Sequence, residues 1–420
     1  MPLNAAKKRI QFVDTLRGFA LLGMVLTHTR TWFVLSIIPE AVMQKYNHNT
    51  ASMLVGMFNS FFIVGKFYTI FSFLFGVSFG IQLSEKKTTD IKFIPRFVWR
   101  LVILFVIGVI HHIHWNGDVL GVYAFLGLFL ILFRKASNRY LMIVGLFLTL
   151  ILPSFIHELA LLYKADTKSK IENNTMLGNV HINDDFLNSF ETLKHGSYTQ
   201  IILQNTYGLK SKLDYQWNTS RVFVTFGLML FGFLVGRGGY LKHLLSYRPY
   251  AKKIMFGAIL MVGVCYWILK TMSFKQSVEQ WNVMAIIVHN FLILLKALLT
   301  TIVYISGLFY LTNLKQMEFV ADSLAVVGKM AMTNYLMQSV IGILLFYSIG
   351  LGLAGDISPA WCYFIAIIIY VFQVVYSKWW LSKYNYGPME WLWRSATYFK
   401  WQPLRVSSKK KLTTIAVPTN

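Results

Sequence analysis

The first long apolar segment carries an acidic and a basic residue near its start and a histidine further along, namely Asp14, Arg17 and His28. An ionisable side chain inside a bilayer is costly, which makes it a candidate functional residue. An imidazole titrates near neutral pH, so His28 can act as a general base toward a hydroxyl or amine that attacks a thioester. The alternative is a structural hydrogen bond that joins two helices.

The spacing of these residues predicts where each lies in the membrane. At 1.5 Å rise per residue, Arg17 and His28 are roughly 16 Å apart along a helix, about half the hydrocarbon thickness. We therefore expect Arg17 at one membrane face and His28 near the midplane or beyond it. Asp14 and Arg17 are three residues apart and can pair with each other, while an arginine there can equally hold an anionic phosphate.

A second polar group lies at the end of the third apolar segment and contains His111, His112, His114, Gly117 and Asp118. His111 and His114 are three residues apart and can face one side of a helix. Gly117 is expected to end that helix, so Asp118 can fold back or cap the next span. Imidazoles and a carboxylate can hold a metal, whereas histidines in water at the membrane surface are the simpler interpretation. We predict no metal.

Five further polar residues stand out against apolar surroundings. Lys66 opens the second long span, where its amine is expected to extend toward the interface. Asn334 and Gln338 are four residues apart on one helix face and should line a cavity or bond across helices. Glu390 and Arg394 lie four residues apart in an aromatic-rich amphipathic segment, and this spacing permits a salt bridge.

The composition indicates the elements that must position these residues. The chain has 420 residues, of which 56% are hydrophobic and 14% charged, and the mean hydropathy is +0.53. These values predict an all-α, polytopic integral membrane bundle of about ten transmembrane helices. The predicted spans are residues 12–36, 62–84, 97–115, 117–133, 140–163, 219–236, 253–271, 283–311, 323–349 and 358–381. Segment 51–65 is also apolar and is expected to be interfacial or re-entrant.

The net charge of +23 points to membrane orientation rather than to nucleic acid. If the N-terminus is cytoplasmic, most lysines and arginines fall on the inner side, as the positive-inside rule requires. We therefore expect a membrane protein with both termini cytoplasmic. The first span, about 25 residues long, should remain as a signal anchor because no cleavage site follows it. Lys409–Lys411 should attract anionic headgroups or form a solvated disordered tail. Cys265 and Cys362 lie in spans and suggest no disulfide.

One long polar segment, residues 164–218, divides the chain. We predict an outer loop or lid there, with a helix-like part near 184–205, between membrane halves at 1–163 and 219–400. Residues 401–420 form a basic cytoplasmic tail. We find no repeat that relates the two halves, which weighs against a transporter built from repeats.

Several short motifs, weak alone, occur in a specific order across nearly the whole chain. They are Asp14 to Gly23; Lys66-Phe67 with Phe71 to Gly76; Arg96 and Arg100 leading to Gly108, His111, Gly117-Asp118 and Tyr123-Ala124; Gly328 with Met330-Ala331; Thr333-Asn334-Tyr335 with Gln338-Ser339; and Gln373, Trp379 and Gly387 to Arg394. Together they resemble the bacterial YeiB-type membrane proteins, whose C-terminal half is a domain of unknown function.

The YeiB-type family is similar, more distantly, to transmembrane acyltransferases. These include the heparan-alpha-glucosaminide N-acetyltransferases and bacterial integral-membrane O-acyltransferases. The latter carry a basic residue, ten intervening residues and a histidine in the first span, and Arg17 and His28 match that spacing. Many YeiB-type members are expected to have asparagine at the position of His28. Arg96 and Arg100 are only a loose counterpart of the O-acyltransferases' third-span arginine motif.

The resemblance implies an acyltransferase in the bacterial cell membrane that takes an acyl group, expected to be acetyl, from cytoplasmic acyl-CoA. The acceptor at the outer face would be a sugar hydroxyl or amine, or a lipid-linked acceptor. Arg17, Arg96 and Arg100 would hold the CoA phosphates and His28 would activate the acceptor. His111 and Asp118 would line the outer half, with Asp118 orienting an imidazole. The expected partners are the bilayer, acyl-CoA, the glycan or lipid acceptor and a second copy in a homodimer.

Two other functions fit the same polar residues. Ten spans with intramembrane polar residues and an outer loop also describe a transporter or exporter of a small molecule. A noncatalytic scaffold or sensor, whose histidines respond to pH, is the third interpretation.

Overall fold

The computed structural model describes residues 3–35, 50–85, 93–156, 189–240, 246–275 and 283–406. Within these ranges the regular elements are helices and no strand is formed, so the prediction of an all-α fold is confirmed. The basic segment Lys409–Lys411, the first part of the expected outer loop at 164–188 and the end of the tail lie outside the described residues.

We number the α-helices along the chain. They are α1 Leu3–Thr27, α2 Thr50–Phe58, α3 Phe67–Glu85, α4 Phe93–His114, α5 Leu120–Leu130, α6 Asn138–Leu146, α7 Tyr198–Tyr207, α8 Leu209–Asn218, α9 Arg221–Arg237, α10 Arg248–Lys275, α11 Val283–Leu311, α12 Glu318–Lys329, α13 Ala331–Phe346, α14 Pro359–Lys383 and α15 Pro388–Tyr398.

Six helical segments in the described residues are long and apolar enough to cross a membrane, or seven if the bent pair α7–α8 and α9 is one span. The expected count of about ten is therefore not confirmed. Two of the predicted spans show why. The run 117–133 forms an α-helix of only 11 residues, and the run 323–349 is broken at Met330 into α12 and α13. Segment 51–65 instead joins the next helix in one candidate span, Thr50–Leu83.

Glycines bring two pairs of helices into backbone contact. A Cβ on Gly18 of α1 would overlap the Leu324 carbonyl of α12, and one on Gly328 would overlap the Asp14 carbonyl of α1. In the same way Gly232 of α9 lies against the Phe73 carbonyl of α3. Small residues permit such close approach in membranes, where dispersion contacts hold helices together. The packing thus interleaves the N-terminal and C-terminal halves of the chain.

The remaining helices frame one central region. α4 packs against α5, α7 and α15, while α10 and α11 pack mainly on each other. We call the end of the bundle that holds Arg96, Arg100 and α15 the arginine end. The opposite end, which holds the turn between α4 and α5 with α7 and α8, is called the histidine end. The first helix changes to a π-helical turn at His28, a local widening that often accompanies functional sites.

Candidate functional site

His111 and Asp118 form a buried pair at the histidine end. His111 Nδ1 lies 2.8 Å from Asp118 Oδ1, and the exposed fractions of the residues are 8% and 3%. A carboxylate oxygen only accepts, so Nδ1 carries the hydrogen, and in the neutral ring Nε2 is the nitrogen with the lone pair. Within the described chain His111 Nε2 is buried without a hydrogen-bond partner. The pair therefore presents an oriented imidazole with a free basic nitrogen.

The local sequence explains why these residues meet. A Cβ on Gly108 of α4 would overlap the backbone of Gly121 in α5, so the two helices cross with no side chain between them. The turn that joins them returns Asp118 to the α4 residue His111. Asp118 also accepts hydrogen bonds at 3.1 Å from the backbone nitrogens of Leu120 and Gly121. It thus caps α5 as well as holding the imidazole.

A lysine from α8 adds a positive charge to this pair. Lys212 Nζ lies 3.8 Å from Asp118 Oδ2 and 3.1 Å from His112 Nδ1. Burial raises the pKa of the Asp118 carboxyl, but the hydrogen bond from His111 and the charge of Lys212 outweigh burial and hold this pKa below its ordinary value. Asp118 is accordingly ionised at neutral pH.

His28 lies beside the same pair but is held by aromatic rings. Its ring centroid lies 4.7 Å from that of Trp115 and 5.8 Å from that of Tyr335. The corresponding distances for His111 are 5.4 Å and 5.3 Å, so the same two aromatic residues contact both imidazoles. His28 is buried, and its Nδ1 has no hydrogen-bond partner in the described residues. Asp118 orients His111, whereas no carboxylate orients His28 in the described part of the chain.

A cavity of about 290 Å³ leads from the arginine end to Tyr335, one of the two aromatic residues that contact both imidazoles. Arg17, Arg100 and Lys329 line its near part, and Val119 and Tyr335 line its far part. The Tyr335 hydroxyl accepts a hydrogen bond of 3.2 Å from the Val119 nitrogen. The phenol ring therefore separates the cavity from the two histidines.

Arg17 lies on the wall of this cavity with much of its guanidinium already bound. It donates to Asp14 Oδ1 at 2.9 Å and to Ser78 Oγ at 2.7 Å. Asp14 and Arg17 thus form the ion pair that their spacing permits.

A smaller cleft of about 190 Å³ opens at the arginine end and carries Arg96, Arg100 and Arg394. No acidic side chain of the described residues lines it. Arg100 donates to Gln82 at 3.1 Å, and its guanidinium lies 4.0 Å from the ring centroid of Trp393. Gln82, Phe97 and Arg100 line both the cleft and the larger cavity. Guanidinium groups are planar donors whose geometry matches phosphate oxygens, so the chemistry of this cleft is suited to an anion.

Glu390 and Arg394 do not bond to each other despite their spacing. Glu390 instead accepts hydrogen bonds from the Met332 nitrogen at 2.6 Å, the Thr333 nitrogen at 3.2 Å and Thr333 Oγ1 at 2.6 Å. It caps the start of α13 from another helix, because the break at Met330 leaves the first backbone N–H groups of α13 unpaired. Arg394 extends over the rings of Tyr386 and Tyr398.

The remaining predicted residues lie away from the histidine pair. Asn334 Nδ2 donates to the Val327 carbonyl and to Ser377 Oγ, each at 3.0 Å. Gln338 Nε2 donates to the Leu21 carbonyl at 3.2 Å and to Gln373 Oε1 at 3.0 Å. Both amides therefore bond across helices. Lys66 donates to the Ser60 carbonyl at 2.8 Å, before the start of α3.

Reasoning from the sequence did not single out Trp115, Tyr335, Lys212 or Lys329 as site residues. Tyr335 lies between Asn334 and Gln338 in sequence, and the polarity of that helix was the available signal. Trp115 carries no distinguishing spacing in a chain that is 16% aromatic. Across the described ranges, no group of three or more His, Cys, Asp or Glu residues is arranged to hold a metal ion.

Comparison with known proteins places the chain among relatives of similar length. Residues 235–400 match the family described as "Protein of unknown function (DUF418)". The chain is 28% identical to the uncharacterized protein YxaH of Bacillus subtilis over 414 residues, which cover 96% of this chain and 97% of YxaH. It is 29% identical to the uncharacterized protein YeiB of Escherichia coli over 348 residues, 79% of this chain and 81% of YeiB. No solved structure matches the chain. The resemblance to the YeiB type is confirmed.

Proposed function

We propose that this protein, which is similar to the YeiB-type proteins, is a transmembrane acyltransferase. It would move an acyl group, acetyl in the simplest case, from acyl-CoA to a hydroxyl or amine. One observation carries the proposal: a single cavity connects arginines at one end of the bundle to Tyr335, whose ring contacts both imidazoles. Acyl-CoA carries phosphates at one end and a reactive thioester at the end of a long pantetheine arm. Its phosphates would bind near the arginines and its thioester would reach Tyr335.

The arginine-lined cleft is the proposed site for the CoA phosphates. Arg96, Arg100 and Arg394 supply planar donors that bind phosphate in a bidentate manner. The cleft shares Arg100 with the larger cavity, so the pantetheine arm can continue past Arg17 toward Tyr335. Arg17 is accordingly assigned to the arm rather than to the phosphates, because Asp14 and Ser78 already occupy part of its guanidinium.

The histidine pair is the proposed site of proton transfer. The acceptor oxygen or nitrogen attacks the thioester carbonyl carbon while His111 Nε2 takes its proton, and the Asp118 carboxylate stabilises the imidazolium that forms. The carbon–sulfur bond then breaks, and the proton passes from His111 to the leaving thiolate. The resemblance gives the base role to His28. We assign it to His111 because Asp118 orients that ring, and we place His28 as a neutral imidazole that hydrogen-bonds the reacting group.

The charge pattern supports an orientation for this reaction. Arg96, Arg100 and Arg394 all lie at the arginine end, and cytoplasmic loops favour Lys and Arg. We place the arginine end in the cytoplasm, where acyl-CoA is available, and the histidine end toward the outer face of the bacterial cell membrane.

The test uses the purified full-length chain in lipid nanodiscs with acetyl-CoA. An acyltransferase binds acetyl-CoA, is stabilised against heating and releases the CoA thiol, by transfer or by slow hydrolysis, at a rate that depends on His111. A transporter or exporter would release no thiol. Absence of both stabilisation and thiol release would refute the proposal.

A further inference from the structure

A second, larger cavity lies on the side of the bundle between α4 and α13. It is a groove of about 760 Å³ whose lining is almost entirely apolar. Its edges carry Ile110, Val340 and Leu344, with exposed fractions of 55%, 56% and 51%. Because α4 is long and apolar enough to span a membrane, these exposed edges open toward the lipid chains rather than toward water.

At the histidine end the groove reaches His111, while Asp118 lies behind this ring and does not line the groove. His111, His114 and Tyr198 line it there, and Ser339 lies on the α13 side. His111 is more than nine-tenths buried, and its Nε2 has no partner in the described chain. The groove therefore contains an unpaired, oriented imidazole beside an apolar channel.

An apolar wall separates the groove from the cavity of the arginine end. Its buried members are Leu104, Ala124 and Met332, with Ile107 and Leu336 packed against them. Leu104 and Met332 line the cavity, while Ile107 and Leu336 line the groove. At the histidine end this separation narrows to the contact between the rings of His111 and Tyr335, whose centroids are 5.3 Å apart. The cavity and the groove thus come closest to each other at these two rings.

We propose that the groove seats the hydrocarbon chain of a membrane lipid that serves as the acyl acceptor, with its hydroxyl-bearing head group at His111. This inference rests on the proposed function and narrows the acceptor to a lipid. The donor is assigned to the cavity on the other side of the wall, so the groove remains for the second substrate. A water-soluble glycan would lose its hydration against an apolar lining that opens to the bilayer, whereas an alkyl chain is compatible with both the lining and the bilayer. Leu336 to Leu344 spans about 12 Å of helix, enough for a substantial length of chain.

The experiment uses photocrosslinking in nanodiscs with a diazirine-labelled long-chain fatty alcohol, which carries only the chain and the hydroxyl. We expect labelled peptides from Ile107–His114 of α4 and from Leu336–Leu344 of α13. Val340→Trp should fill the groove and lower this labelling at least fivefold. The matched control is Val371→Trp on α14, where a valine of nearly equal exposure, 55%, lies outside the groove.

Uniform labelling of all lipid-facing helices, or equal labelling of Val340→Trp and Val371→Trp, would overturn the inference. A competition experiment can also overturn it. If a long-chain acyl-CoA displaced the label at concentrations at which unlabelled fatty alcohol did not, the groove would hold the acyl chain of the donor rather than that of the acceptor. Crosslinking requires no turnover. Specific labelling, with neither stabilisation by acetyl-CoA nor thiol release, would support a lipid-binding groove and refute the acyltransferase. Transfer to a soluble sugar without labelling would do the reverse.

Discussion

Asp118 accepts a hydrogen bond from Nδ1 of His111 while its two oxygens also bind the first backbone N–H groups of α5. The same carboxylate therefore fixes the tautomer of an imidazole and the start of a helix. His111 Nε2 has no hydrogen-bond partner in the described residues. An imidazole held at Nδ1 and unpaired at Nε2 is the arrangement that the proposed general base requires.

The two imidazoles should differ in their effect on catalysis. His111→Gln should lower kcat for acetyl transfer roughly 10²- to 10⁴-fold, since it removes a general base, with little change in acetyl-CoA binding. His28→Gln should lower kcat less. The exposed His195→Gln serves as the control and should leave the rate unchanged. Full activity of His111→Gln alongside inactive His28→Gln would transfer the base role to His28.

Asp118→Asn should preserve the shape of the site but not the tautomer of His111. We expect a lower kcat, because the variant no longer fixes the tautomer of the imidazole or stabilises the imidazolium that forms in the proposed reaction. KM for acetyl-CoA should change little, since the donor phosphates are assigned elsewhere. Stopped assays of thiol release at several acetyl-CoA concentrations separate kcat from KM. An unchanged kcat would reduce Asp118 to a helix cap.

The same substitution should affect stability in a pH-dependent way. The pKa of Asp118 in the folded protein lies below the ordinary value of 3.8, so the carboxylate contributes stability at pH values above 3.8, which is lost as the pH falls through the folded-state value. The difference in Tm between wild type and Asp118→Asn should be largest near neutral pH and should shrink as the pH falls below 3.8. A difference that grew in acid would contradict this sign.

Removal of an arginine from the cleft should weaken donor binding. Arg100→Ala deletes a charged hydrogen-bond donor worth about 1.5–3 kcal/mol, so the Kd for acetyl-CoA should rise about 10- to 100-fold. Arg405→Ala removes an exposed arginine outside the cleft and controls for net charge. Isothermal titration measures both. Dephospho-CoA should bind the wild type more weakly than CoA does, and equal affinities would place the phosphates elsewhere.

Close helix packing predicts a stability difference between two glycines. Gly232→Ala would force α9 away from the Phe73 carbonyl, an overpacking that typically costs about 1–3 kcal/mol. Gly257→Ala is the matched control because a Cβ there meets nothing within 4 Å. Thermal unfolding in detergent should show a lower Tm for Gly232→Ala alone. Equal Tm values would mean that α3 and α9 can move apart without a loss of stability.

The sequence predicts which residues belong to this site better than it predicts the contacts between them. His28, His111 and Arg100 are recognisable because ionisable groups are costly within apolar segments. Gly117 also signals that Asp118 can turn back. In contrast, the break at Met330 lies inside one apolar run, and it is capped by Glu390, 58 residues away from Met332. No local pattern encodes such a contact.

The orientation of Tyr335 is equally remote from sequence patterns. Its ring contacts His28 in the π-helical turn after α1 and His111 of α4, and its hydroxyl bonds to Val119 in the turn after α4. Each contact depends on how those elements pack. The predicted lid shows the same limit: Lys212 stands out in the sequence only as one lysine among many, yet it lies beside Asp118.

The apolar wall around Leu104, Ala124 and Met332 also bears on the competition between two nucleophiles. In the proposed reaction the donor enters by the cavity and the acceptor by the groove. Hydrocarbon side chains between the two routes would keep water in the cavity away from the lipid-facing side. Under that assignment the acceptor hydroxyl would reach the thioester ahead of water, and transfer would be favoured over wasteful hydrolysis.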